Sequence, residues 1–300
     1  MRWTAALALF AGSMMVGGSA WASALVEKRV TVAPDVVIRA VEAGDPNSKS
    51  PIIFIAGWSA GADIWRDQIE RFDDTRRVIA FDPRSQGDST KTTSGNTPEQ
   101  RAADLYAILV AEHVTHPVLV GWSQATQDIA AYALRYGTKD IAGIVLVDAA
   151  VADGAKGIAA RPQQATAQFG RFAYYVENQE EYLRGMFGAI ISKPQLPGTV
   201  DRAIATAMKT PPSVGIAMLV ADMFGIDRTG ALAKIDCPVL IIAAGSSGEL
   251  ARQQAEAKAI KNARFVQIDD AAHAVFLDQP DRFATALADF LKDLGALPRR

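Results

Sequence analysis

The stretch Pro117-Val118-Leu119-Val120-Gly121-Trp122-Ser123-Gln124-Ala125 leads from an unbroken apolar run into a segment with helical spacing over residues 124–136. Continuous Val and Leu suit a strand buried on both faces, so the serine falls at a strand-to-helix turn. Gly-x-Ser by itself says little, because the chain carries it repeatedly, at Gly17, Gly87, Gly121 and Gly245 among other places. Only the copy at Gly121 lies between a buried strand and a long helix, the setting that lifts a serine hydroxyl out of a sharp, strained turn. Such a turn brings the residues two before and two after the serine against neighbouring backbone, and both must be small; here they are Gly121 and Ala125. A serine that merely caps the helix is the bland alternative.

Outward from this turn the pattern repeats. Short β-rich apolar runs occupy residues 51–56, 77–81, 141–147, 238–243 and 264–268, and residues 30–41 alternate as a strand pair would. Helical spacing covers residues 62–72, 98–111, 250–260 and 280–294. Strand and helix in alternation predict an α/β fold, a mostly parallel central sheet flanked by helices. Residues 149–230 break the alternation with helical stretches punctuated by Pro162, Pro194, Pro197, Pro211 and Pro212, and read as a helical cap inserted after the sixth strand. The expected organisation is a leader over 1–22, core over 23–148 and 231–300, and the cap between.

The 300 residues are 49% hydrophobic and 21% charged, a globular composition, and a formal charge of -2 provides no basic footprint for nucleic acid. Arg2, the apolar run 5–16 and Ala20-Trp21-Ala22 have the layout of a secretory signal peptide, which implies an exported protein, periplasmic or secreted. That run is shorter than the ~20 residues of a bilayer span, and no later segment escapes charge long enough to be one. Cys237 is the single cysteine, so no internal disulfide is expected, and its place at the start of an apolar run reads as a small buried side chain.

A serine hydroxyl needs a base to become a nucleophile. The chain has 3 histidines. His113 and His116 precede the strand at Pro117 and belong at the amino edge of the sheet, whereas His273 follows the last strand and belongs at the carboxyl edge with Ser123. Elimination favours His273, with a structural loop histidine as the alternative.

These features together resemble the α/β-hydrolase superfamily from about residue 30 to residue 294. Ile53-Phe54-Ile55-Ala56-Gly57-Trp58 resembles its strand and oxyanion loop. Phe81-Asp82-Pro83-Arg84-Ser85-Gln86-Gly87-Asp88-Ser89 resembles its D-x-R-G-x-G-x-S turn, with Ser85 for glycine, and Ala272-His273-Ala274-Val275-Phe276 resembles its histidine loop. The resemblance implies an oxyanion hole from the backbone N–H groups of Trp58 and Gln124. It implies a carboxylate to orient His273, and two sites offer one: Asp148, after the sixth strand as in haloalkane dehalogenases and some lactone hydrolases, is the first choice, and Glu249, one position beyond the loop after residue 243, is the alternative. The implied activity is serine hydrolysis of a carboxylic ester or lactone, with no cofactor or metal. A cofactor-free perhydrolase or haloperoxidase-like activity, and a non-catalytic ligand-binding protein of the same fold, are the competing readings. Large apolar side chains in the cap, Phe169, Tyr175, Tyr182, Met218 and Phe224 among them, suggest a small apolar ester or lactone as substrate.

Overall fold

The computed structural model describes residues 25–296; the leader expected over residues 1–22 lies outside the described residues. In chain order the elements are β1 (Val26–Ala33), β2 (Val36–Ala43), β3 (Ile52–Ile55), a 3-10 turn (Ala62–Trp65) running into α1 (Arg66–Phe72), β4 (Val78–Phe81), α2 (Pro98–Ala111), β5 (Val118–Trp122), α3 (Ala125–Tyr136) and β6 (Gly143–Val147). The helices α4 (Gly154–Ala160), α5 (Pro162–Glu177), α6 (Gln179–Ile190), α7 (Thr199–Ala207) and α8 (Pro212–Phe224) follow. The core resumes with β7 (Val239–Ala244), α9 (Leu250–Ala259), β8 (Ala263–Ile268), α10 (Val275–Asp278) and α11 (Pro280–Ala296).

The strands form one 8-stranded sheet in the order β1-β2-β4-β3-β5-β6-β7-β8. β1 and β2 run antiparallel to their neighbours, and every pair from β4 through β8 is parallel. The alternation of side chains across a strand builds two cores. Phe54, Val120, Val147 and Ile242 face one side and pack with Trp65, Ile69 and Phe283. Ile55, Leu119, Leu146 and Ile241 face the other and pack with Ile108 and Ile129. Apolar residues on both faces of the central strands are therefore explained by helices on both sides, and Cys237 is one of the buried side chains of the second core.

Helix boundaries have local causes. Pro98 opens α2, and Thr97 accepts the Gln100 N–H through its hydroxyl at 3.3 Å, satisfying a donor the helix cannot. The helical spacing from residue 62 begins as a 3-10 turn, which lays Trp65 between the rings of Phe54 and Phe276 at centroid distances of 4.7 and 3.9 Å. Cap residues Tyr175, Leu183, Phe187 and Met218 join Trp58 in the first core cluster, so the cap is packed onto the carboxyl edge of the sheet. Among the described residues no single helix is long and apolar enough to cross a membrane.

Candidate active site

Parallel strands deliver their carboxyl ends to one edge, and four loops meet there. After β5 the chain turns at Ser123, whose φ of 57 is left-handed, and α3 starts two residues later. That backbone is costly for a residue with a Cβ and is held by its surroundings: Ser123 N–H donates to the Val147 carbonyl at 3.0 Å. A Cβ on Gly121 would come within 2.6 Å of Ile129 Cδ1 and 3.1 Å of the Ala125 carbonyl oxygen, and one on Gly57 within 3.1 Å of Ser123 Cβ, so a larger residue at either position would press on the turn. Ala125 is fully buried in the second core, and its single methyl is accommodated there.

After β8, His273 is fixed by its own carbonyl, which accepts the Trp122 indole N–H at 2.9 Å. Its Nε2 lies 2.8 Å from Ser123 Oγ and its Nδ1 lies 2.8 Å from Asp148 Oδ2. Asp148 follows β6 directly, with φ 49, and its side chain is 2% exposed. Its second oxygen accepts the Ala244 N–H at 2.9 Å, so the carboxylate bridges from the end of β6 to the end of β7. Glu249 goes elsewhere: it accepts the Ala150 N–H at 3.1 Å and pairs with Arg252. Of the two acids left open by the sequence, only Asp148 is brought to His273.

Among the described residues, neither the Trp58 N–H nor the Gln124 N–H has a backbone or side-chain acceptor. The Trp58 loop is braced from below: the Ser59 N–H donates to the Gln86 side chain, and the Ala62 N–H donates to Asp82 Oδ1 at 2.7 Å. Asp82 also takes the Asp88 N–H at 2.7 Å, which closes the turn over residues 82–89. That turn carries Ser85 in a left-handed conformation, φ 64.

Above Ser123 lies a pocket of about 240 Å³ lined by Trp58, Ser123, Gln124, Leu219, Met223 and Phe224 on one side and by Asp153, Arg161, Glu249 and Arg252 on another. The apolar side chains on which the expected apolar substrate rests supply part of this lining, and charged side chains supply the rest. The cap's rings divide among several tasks: Tyr175 packs into the core, Phe169 is exposed, and Met223 and Phe224 reach the pocket. The ionic wall comes instead from α4 and α9 and the residues flanking them, with Arg161 on Asp153 at 2.8 Å.

A second polar group escaped the sequence reading. Arg101 of α2 is buried, with Nε 2.9 Å from Asp128 of α3 and Nη2 2.7 Å from Asp222 of α8. Burial, with Asp222 close by and against the pull of Arg101, pushes the Asp128 carboxyl up to about 7. The signal was present: Arg101 shares the buried stripe of α2 with Leu105 and Ile108, where a lone charge would be expensive. Removing one partner from a buried pair of this kind costs about 3–5 kcal/mol.

Glu256 of α9 lies under the loop that follows β6. Its Oε1 accepts the Val151 N–H at 2.7 Å, and Oε2 is buried without a partner among the described residues. Burial pushes its pKa up from 4.5 to about 7. Because the folded state holds this proton more tightly, the stability it contributes is full below the unfolded value and is lost as pH rises from about 4.5 to about 7. Glu256→Gln cannot ionise, so its stability relative to the parent is expected to be greater at pH 8 than at pH 5 by about 1–3 kcal/mol. Urea unfolding at the two pH values measures this, and an equal difference at both would remove the assigned titration.

The sequence profile of the Alpha/beta hydrolase family matches residues 52–286, and the chain belongs to that family. It is 26% identical over 269 residues to a provisionally named non-heme chloroperoxidase of Synechocystis sp., covering 83% of this chain and 93% of that one. A pimeloyl-[acyl-carrier protein] methyl ester esterase of Neisseria meningitidis is 25% identical over 257 residues, covering 82% and 95% respectively. Among solved structures, a provisionally named aryl esterase of Burkholderia cenocepacia superposes with a TM-score of 0.76 at 28% identity, covering 91% of this chain and 100% of that one.

Proposed function

We propose that the protein is a serine hydrolase that cleaves a carboxylic ester or lactone through an acyl-serine intermediate. The observation that carries this reading is the pair of 2.8 Å contacts that link His273 to Ser123 Oγ and to Asp148, with Ser123 opening onto a pocket. In the proposed reaction His273 Nε2 takes the Ser123 proton as Oγ attacks the substrate carbonyl. Asp148 holds the imidazole in the required tautomer and balances the positive charge that develops on it. The Trp58 and Gln124 amides donate to the oxyanion, a contribution of about 2.7–4 kcal/mol for a donor of this kind. The C–O bond to the alcohol then breaks and the alcohol leaves with the proton from His273. Water, deprotonated by His273, attacks the acyl-serine, and the acid departs with Ser123 restored.

The pocket lies below the ~300–1,000 Å³ of drug-sized ligand sites, which favours a small acyl group. Its Trp58, Leu219 and Phe224 wall suits an apolar portion, and its Arg161 and Arg252 wall suits a polar one. A second reading is perhydrolysis: hydrogen peroxide, in place of water, attacks the acyl-serine and leaves as the peroxy acid. The similarity to the Synechocystis protein favours it. Export rests on Arg2, the apolar run 5–16 and Ala20-Trp21-Ala22.

The expected result is release of p-nitrophenol from p-nitrophenyl acetate and covalent labelling by a fluorophosphonate, with the adduct mapped by mass spectrometry to Ser123. Peracid formation with acetate ester and peroxide would add the second reading. A protein that neither turns over nor labels would be a ligand-binding member of the family.

A further inference from the structure

Both residues proposed to supply the oxyanion amides are tied by their side chains to one helix of the cap. The Trp58 indole N–H donates to the Gly215 carbonyl at 2.8 Å, and the Gln124 side-chain amide donates to Asp222 Oδ2. Gly215 and Asp222 lie about two turns apart on one face of α8. We infer that α8 of the cap is part of the oxyanion machinery, and that Asp222 is a positioning residue that holds Gln124, and with it the main-chain donor next to the nucleophile, in place. The inference rests on the serine hydrolase reading above and adds the cap to the machinery of that reaction.

Three features support it. The contact is close: a Cβ on Gly215 would come within 3.3 Å of the Trp58 ring and 3.0 Å of the Tyr175 hydroxyl, so a larger residue there would press on both rings. Among the described residues the tether at Gln124 has no substitute, because its Oε1 is buried and has no partner there, leaving Asp222 as the group that fixes the side chain. Asp222 is itself anchored: its other oxygen accepts from Arg101, which Asp128 of α3 holds in turn. Asp128 and Gln124 both lie at the start of α3, so the cluster joins the cap to the helix on which the oxyanion donor sits. A buried ion cluster that only fastened the cap to the core would have no need to engage the residue beside the nucleophile.

An oxyanion donor acts in the transition state, so its displacement lowers kcat and spares KM. Removing such a donor outright costs about 10²–10³ in kcat, and loosening its support is expected to cost about 10-fold. Asp222→Ala and Gln124→Leu, the latter keeping the main-chain N–H and the ion cluster, are therefore expected each to lower kcat for p-nitrophenyl acetate by about 10-fold with KM unchanged. Affinity for a trifluoromethyl ketone, whose hemiketal oxyanion occupies the same hole, should fall in step. The double variant should be no worse than the poorer single one, because both remove one interaction. Trp58→Phe, which deletes the donor to Gly215 and trims the indole to a single ring, should give a loss of the same kind.

If Gln124→Leu and Trp58→Phe keep parental kcat and ketone affinity, the inference is wrong even where Asp222→Ala unfolds. A rise in KM alone would make Asp222 and Gln124 pocket walls and nothing more, which also overturns it. Additive losses in the double variant would do the same. Should the parent protein neither label at Ser123 nor turn over ester, the serine hydrolase reading fails first and this one with it.

Discussion

Ser123→Ala is expected to lower kcat for a short-chain ester by about a million-fold, and His273→Ala by a similar factor. The hydroxyl is the atom that becomes acylated, and His273 Nε2 sits 2.8 Å from it. Without Nε2 the hydroxyl keeps its proton; without Oγ the base has nothing to activate. The two changes remove the same step, so Ser123→Ala combined with His273→Ala is expected to be no slower than either alone. What remains would be the catalysis of the Trp58 and Gln124 amides and of binding, about 10³–10⁴ over water. Steady-state rates with active-site titration of the parent measure all three variants. Multiplying losses, or a Ser123→Ala variant that retains near-parental turnover and fluorophosphonate labelling, would remove Ser123 from the chemistry. Alanine also keeps the Cβ and the left-handed backbone at φ 57, so the variant tests the hydroxyl without relaxing the turn.

The turn at Ser123 was legible because its requirements are local and severe. A strand buried on both faces must read as continuous Val and Leu, and the turn must have small neighbours, which Gly121 and Ala125 supply. His273 was legible by elimination, since strand direction alone separates it from His113 and His116. The sequence favoured Asp148 over Glu249 without deciding between them. Both follow strands at the same edge, and what separates them is side-chain reach: Asp148, turned back by φ 49, spans from β6 to the Ala244 N–H and His273, while Glu249 is drawn to Ala150 and Arg252. The pocket was the least legible part. Cap helices are apolar both toward the core and toward the cavity, so a large side chain in them could serve either, and Phe187 and Phe224 took different roles. The ion cluster at Arg101 was visible only as a charge in an apolar stripe, and its partner on α8 is distant in sequence.

Asp148→Asn is expected to lower kcat by about 10⁴, while Glu249→Gln leaves turnover near the parental rate. The asparagine oxygen can keep the Ala244 N–H, and its amide nitrogen then faces His273 Nδ1. Nδ1 must accept from that donor, so the imidazole proton moves to Nε2, pointing at Ser123 Oγ, where an acceptor is required. The base is thereby held in the wrong tautomer with the geometry almost intact, and folding stability should change far less than rate. Glu249→Gln retains a carbonyl for the Ala150 N–H and gives up an ion pair with a partly exposed Arg252, worth about 0–1 kcal/mol. Its largest expected effect is on KM, through the polar wall of the pocket. Measured side by side on one ester, with thermal melts as controls, the two variants separate the assignments. A Glu249→Gln enzyme slowed by several orders of magnitude beside a fully active Asp148→Asn enzyme would mean that the carboxylate 2.8 Å from His273 Nδ1 is structural and that Glu249 swings in during turnover.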